Sequence, residues 1–244
     1  MNIVIVKAGG TGSRMGDKYD GIPKQFIEIQ GKPILIYSIE PFEHANNIDK
    51  IIISCHKDYI ELAWEYCRKF NISKVFKIIE GGKTTNDSFF NGVKEAEKYM
   101  SDEDIIILGD AVRPLVSENT VEEIVKQAKT HGAAGGAVRI AECAFTKSKK
   151  EKDTFQYLGN DGSYMSKTPQ GIKLGKLKQY KKEAEQMGVY NNCPALCTLA
   201  INTNNPYTFV PDSPYNIKIT YENQLDFFEM IVKNGLREKI INIK

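Results

Sequence analysis

The run Asn2-Ile3-Val4-Ile5-Val6 leads through Lys7 into Ala8-Gly9-Gly10-Thr11-Gly12-Ser13-Arg14-Met15-Gly16, and this stretch decides how the chain is read. The β-branched apolar run is read as a buried first strand. A glycine-rich turn directly after such a strand lets backbone N–H groups close on a phosphate chain, because no Cβ blocks the approach. Arg14, and Lys24 in the following Pro23-Lys24-Gln25, add positive charge where a triphosphate would lie. Strand, loop, Arg and Lys in this order point to an enzyme that handles a nucleoside triphosphate.

Working outward, short apolar strands alternate with amphipathic helices. Strands are predicted at 51–55, 75–79 and 104–108. Helices are predicted over 58–70, 85–100, 117–131, 174–187 and 222–232, the third opening on Ser117 as its cap. Continuous apolar runs such as Ile105-Ile106-Ile107-Leu108 suit strands buried on both faces of a parallel sheet. The rhythm predicts an α/β fold, a doubly wound, mostly parallel, Rossmann-like sheet with right-handed crossovers. It breaks between about 141 and 167, a polar, Lys-rich segment containing Gly159-Asn160-Asp161-Gly162. That segment is read as a β-hairpin arm projecting from a single domain that spans 1–244, with a flexible surface loop as the alternative.

Composition narrows the classes. The 244 residues carry a net charge of +2, too little to argue for nucleic acid or an anionic membrane. No apolar run approaches the length of a membrane-spanning helix, and the chain opens on its first strand without a signal-peptide pattern, so a cytoplasmic protein is expected. The five cysteines form no C-x-x-C pair, and their odd number argues against a disulfide framework. Cys193 and Cys197 have no nearby His to complete a zinc site and are read as reduced structural thiols.

The first loop contains Gly10-x-Gly12 and Gly16, which raises the dinucleotide fingerprint. The third glycine comes one residue late, and Gly21-Ile22-Pro23 interrupts the helix that fingerprint requires. The P-loop ending Gly-Lys-Ser/Thr is absent. Asp110, in Gly109-Asp110-Ala111-Val112-Arg113-Pro114, follows a parallel strand at the end where open α/β sheets bind ligands. It is read as a magnesium ligand bridging to triphosphate oxygens; the alternative is a turn residue paired with Arg113. Gly81-Gly82, with Ser88 beyond it, forms a second glycine turn before a helix, suited to a base edge or ribose. Lys218 lies in the strand-like run Asn216-Ile217-Lys218-Ile219-Thr220, facing either solvent or the site.

Taken in order, these elements resemble a known family. Ala-Gly-Gly-Thr-Gly-Ser-Arg-Met-Gly, Pro-Lys-Gln-Phe, Gly-Lys-Pro-Ile, Gly-Gly with Asp87-Ser88 and Asn91-Gly92, Asp-Ala-Val-Arg-Pro, Thr-Pro-Gln and Asn-Ile-Lys-Ile-Thr span nearly the whole chain. They look like the cytidylyltransferases that make CDP-methylerythritol or CDP-ribitol, with the first loop and Asp-Ala-Val-Arg-Pro nearer the ribitol-5-phosphate branch. The resemblance implies transfer of CMP from CTP to a phosphorylated polyol, with release of pyrophosphate and with magnesium as cofactor. Arg14, Lys24 and Lys218 would be catalytic, and Asp110 would ligate magnesium. Ala8, Gly9, Gly10, Thr11, Gly12, Gly82, Ser88 and Ala111 would hold the nucleotide, and Arg113, Gln170 and Thr220 the acceptor. It also implies a homodimer whose arm completes the neighbour's acceptor site.

The chain departs from that pattern in particular places. Lys7 replaces the small residue before the loop, and Thr85 stands where an Arg is usual. The arm lacks the family's Asp-Thr pair, with Glu142-Cys143-Ala144 near its place, and Asn160 stands where an Arg is expected. Asn191-Asn192-Cys193-Pro194-Ala195 replaces a Thr-Asp-Asp/Ala segment. Most departures fall in the acceptor half. The expected acceptor is therefore ribitol 5-phosphate or a related polyol or sugar phosphate for capsule or cell-wall glycan, rather than methylerythritol phosphate for isoprenoids. A nucleotide-binding protein that has lost catalysis is the competing class, and a nicotinamide oxidoreductase is disfavoured by the glycine spacing.

Overall fold

The computed structural model describes residues 1–10, 21–148, 154–159 and 162–243. Its centre is a seven-stranded sheet ordered β11-β7-β10-β6-β1-β4-β5. The strands are β1 (Asn2–Ala8), β4 (Lys50–Cys55), β5 (Val75–Glu80), β6 (Ile105–Asp110), β7 (Ala133–Arg139), β10 (Tyr164–Lys173) and β11 (Thr208–Pro211). All neighbours run parallel except β10, which is antiparallel to both β6 and β7. Two short strands, β2 (Glu28–Ile29) and β3 (Lys32–Pro33), pair beside the first loop.

Period-2 alternation of apolar residues sends successive side chains to opposite faces. Val4, Val6, Ile51, Ile53, Ile105 and Ile107 pack beneath α1 (Ile34–His44), α2 (Ile60–Lys69) and α4 (Glu118–His131). Ile3, Ile5, Ile52, Ile106 and Leu108 face α3 (Thr85–Ala96), α5 (Leu174–Gln186) and α6 (Leu196–Asn202). A third cluster joins the outer face of α1 to α7 (Glu222–Lys233), through Ile34, Tyr37, Leu225 and Phe228. The short α8 (Arg237–Ile241) follows it. On the second face Gly92 is required by contact: a Cβ there would lie 2.4 Å from Cγ2 of Ile5.

The doubly wound, mostly parallel sheet agrees with expectation, as does the Ser117 cap, whose Oγ accepts from Thr120 N at 3.1 Å. Other details differ. The helix expected to reach residue 100 ends at Ala96. Helices α1 and α6 are not among the predicted elements. In α1 almost every position is buried, so no polar face marks it; Pro33 and Pro41 stand at its start and inside it. Thr168-Pro169-Gln170, a short polar set in the sequence, lies inside β10. The run 216–220 forms no strand, because side chains rather than a ladder hold it. The arm appears as the hairpin β8 (Ala144–Lys147) and β9 (Phe155–Gly159). Tyr164 to Ser166, placed in the arm from sequence, already pair with β7. No helix among the described residues is long and apolar enough to cross a membrane.

Candidate active site

The site gathers at the C-terminal edge of β1 and β6. The two parallel strands are in register so that Lys7 lies opposite Asp110. Each charge continues an apolar row on the same face, Ile3 and Ile5 on one strand, Ile106 and Leu108 on the other. Lys7 Nζ sits 3.5 Å from Asp110 Oδ1. The other carboxylate oxygen, Oδ2, accepts from Thr168 Oγ1 at 2.9 Å and from Lys218 Nζ at 3.2 Å. Arg113 Nε lies 3.5 Å from that oxygen, near enough to pair in charge but not aligned as a hydrogen bond. Asp110 is only 6% exposed, whereas the Lys218 side chain is 42% exposed and so forms the open rim of the cluster. Burial alone pushes the Asp110 carboxyl up; the charges of Lys7, Lys218 and Arg113 and the Thr168 hydroxyl outweigh it and hold the group well below the ordinary carboxylate range.

Magnesium was expected at Asp110. A magnesium ion takes about six oxygen ligands at about 2.0–2.1 Å. Here both oxygens are engaged, one by an ammonium and the other by an ammonium, a guanidinium and a hydroxyl. At an effective dielectric near 20, a dication about 4 Å from one ammonium is opposed by roughly 8 kcal/mol, as much as one carboxylate at that distance returns. Among the described residues no group of three His, Cys, Asp or Glu assembles to offset this. With Lys7 in place, the protein groups alone do not fit a magnesium ion.

The first and second glycine turns meet beside this cluster. A Cβ on Gly9 would lie 3.2 Å from Ser88 Oγ and 4.0 Å from the Cα of Gly81. Gln25 fixes the first turn, donating from Nε2 to Ala8 O at 2.6 Å and Gly10 O at 2.9 Å. Its neighbour Lys24 opens the same short 3-10 turn and is thereby held beside the loop. Thr11, Gly12 and Arg14 lie outside the described residues. In the second turn Gly82 approaches α3 so closely that a Cβ would fall 2.1 Å from Cβ of Asp87. The glycine is needed there because Thr84 and Asp87 close a reciprocal cap on α3.

Several expected ligand-binding groups are turned to other uses. Ser88 is buried; its hydroxyl donates to Thr84 O and accepts from Gly82 N, both at 3.0 Å, and so shapes the turn. Ala111 is buried, and its N–H donates to Lys7 O at 3.2 Å. Gln170 is 2% exposed and uses both ends of its amide: Nε2 donates to Ser166 Oγ, and Oε1 accepts from Cys197 N. It ties β10 to α6. Thr220 donates its backbone N–H to Gln224 Oε1 at 2.7 Å and closes the turn into α7. Arg113 donates to Asn216 O at 2.9 Å while facing Asp110, which combines the two roles weighed for that pair.

The loop carrying Lys218 is fastened by residues that carried no strong sequence signal. Lys167 donates to the carbonyls of Ser213, Pro214 and Asn216 at 3.0–3.2 Å. Burial pulls its ammonium down, and Asp212 opposes that. Asn216, fully buried, donates from Nδ2 to Thr168 O at 2.9 Å and to Asp212 Oδ2 at 2.6 Å. In the sequence, Lys167 is one lysine among many, and only its place just before Thr-Pro-Gln marks it. Cys55, Cys67, Cys193 and Cys197 are buried free thiols, and burial pushes the first two up to about 12. A groove of about 580 Å³ between α3 and α5 reaches this region only at Gly82 and is not where the charges converge.

A doubly wound sheet whose two glycine turns meet beside a cationic cluster at the strand ends defines a nucleotidyltransferase. The chain belongs to the IspD family, 2-C-methyl-D-erythritol 4-phosphate cytidylyltransferase, whose family model matches residues 2–234. A ribitol-5-phosphate cytidylyltransferase of Streptococcus agalactiae is 31% identical over 241 residues, covering 98% of this chain and 99% of that one. Another of that description, from Lacticaseibacillus paracasei, is 32% identical over the same length and shares of both chains. Among solved structures, the 2-C-methyl-D-erythritol 4-phosphate cytidylyltransferase of Francisella tularensis superposes with a TM-score of 0.74 at 25% identity, over 94% of this chain and 98% of that one.

Proposed function

We propose that this chain transfers CMP from CTP to a phosphorylated polyol, ribitol 5-phosphate or a close relative, and releases pyrophosphate. The observation that carries the reading is the Lys218–Asp110–Lys7 cluster beside the meeting point of the two glycine turns. Full-length similarity to ribitol-5-phosphate cytidylyltransferases supports the acceptor class.

An oxygen of the acceptor's phosphate attacks the α-phosphorus of CTP. The new P–O bond forms as the α–β bridging bond breaks, and pyrophosphate leaves with that electron pair. The attacking phosphate is already anionic, so no base is needed; the barrier is lowered by alignment and by charge. Lys218, on the open rim, steers the incoming phosphate against the α-phosphate. Lys24 would offset charge on the departing pyrophosphate, a role the family resemblance also gives to Arg14. Gly9, Gly10 and Gly82 supply backbone approach to the nucleotide, while Asp110 holds Lys7 and Lys218 at fixed positions. The exposed aromatic residues of the arm, Phe145, Phe155 and Tyr157, support a homodimer in which the hairpin meets a second copy. A cytoplasmic location suits an enzyme that uses CTP.

The test is pyrophosphate release from CTP, UTP, ATP and GTP with ribitol, methylerythritol, glycerol and ribulose phosphates, with and without magnesium chloride. Turnover confined to CTP and a polyol phosphate is expected. Turnover of methylerythritol phosphate above every other acceptor would overturn the acceptor assignment, and silence with CTP across the panel would overturn catalysis.

A further inference from the structure

We propose that the Lys7 ammonium stands in for a divalent cation at Asp110, so that CTP is held there without a protein-bound metal. The inference rests on the CTP-binding reading above and concerns one residue of the chain itself.

Lys7 reaches Asp110 by strand register, not by loop chance: the two are opposed on adjacent parallel strands, one step beyond the apolar pairs that fix that register. The Lys7 side chain is 11% exposed, and its Nζ is 3.5 Å from Oδ1, the carboxylate oxygen that neither Thr168 nor Lys218 uses. A cation carried on a strand is permanently present and needs no ion from solution. An ammonium has three N–H donors and faces Asp110 in one direction, so its remaining donors suit phosphoryl oxygens held by the adjoining glycine turn. A small cleft next to Lys7 is lined by Cys193, Pro194 and Ala195. An ammonium lies beside this cleft and these three side chains offer no carboxylate, which makes the site less able to recruit a metal ion and better able to accept a nucleotide without one.

The decisive experiment is calorimetric titration of the full chain with CTP, in EDTA and in magnesium chloride, for the native protein and for Lys7→Leu and Lys7→Arg. The native dissociation constants are expected to agree within about threefold between the two buffers. Lys7→Leu is expected to bind at least tenfold more weakly in EDTA and to recover in magnesium, while Lys7→Arg stays near native. Native protein whose CTP affinity falls tenfold or more in EDTA overturns the inference, whatever the variants do, and leaves the CTP reading standing. A Lys7→Leu protein as indifferent to magnesium as the native one also overturns it. No CTP binding in either buffer overturns the nucleotide reading, and this inference with it.

Discussion

Replacing Asp110 by Asn tests the charge arrangement most directly. The substitution keeps the shape and a hydrogen-bond acceptor for Thr168 but removes the negative charge that Lys7, Lys218 and Arg113 share. Lys218, with its side chain 42% exposed, can turn to solvent and adds little to the cost. Lys7 and Arg113, 11% and 12% exposed, cannot. Breaking a buried ion pair from one side costs about 3–5 kcal/mol. For a chain of this size each kcal/mol shifts Tm by about 2–4 °C, so Asp110→Asn is expected to melt about 6–20 °C below the native protein. Adding Lys7→Met to it removes one stranded cation and should return part of the loss, a coupling readable by a double-mutant cycle in urea. The pH dependence has a definite sign. The native carboxyl titrates well below its unfolded value, so its contribution is complete above about pH 4 and is lost as pH falls through the native value. The difference between native and variant should therefore be constant from about pH 5 to 8 and shrink only in stronger acid. A variant within about 0.5 kcal/mol of native at neutral pH would refute the account.

Lys218→Gln should lower kcat by about 10²-fold, the scale of losing one charge-stabilising donor; stability should move by less than about 1 kcal/mol, and a larger loss on urea titration would mean that Lys218 is structural. Lys167→Met leaves three carbonyls of the Lys218 loop without their shared donor, and is expected to cost about 1.5–3 kcal/mol and to lower kcat as well. Unchanged kcat in a variant destabilised this way would separate that loop from the chemistry. Gly92→Ala drives a Cβ to 2.4 Å from Ile5 and should cost about 1–3 kcal/mol by overpacking, with KM for CTP little altered; an unchanged Tm would count against so close a helix–strand contact.

The sheet was legible because its strands are nearly uninterrupted β-branched runs, a pattern with few alternative uses. The ends of β1 and β6 were legible because glycine and aspartate break those runs abruptly. What stayed hidden depends on register and on distant pairing. The opposition of Lys7 and Asp110 becomes visible only when β1 and β6 are laid side by side, since 103 positions separate them in the chain. Lys167 gains its role from three carbonyls some 46 to 49 positions away. Gln170 and Ser88 carry the residue types of ligand contacts, yet close packing turns their polar ends inward to satisfy nearby backbone and side-chain groups. The antiparallel course of β10 was missed because its polar Thr-Pro-Gln centre does not look like an interior strand.

That strand has a consequence for how the molecule can change. Strands β7 and β10 are adjacent antiparallel partners, paired up to Arg139 and Tyr164. The β8–β9 hairpin lies in the chain between these two residues. Lengthening a loop costs only about 0.6 kcal/mol per doubling. The Arg139–Tyr164 pair is therefore a natural splice point: a connection of another length can be joined there while the β7–β10 register is kept.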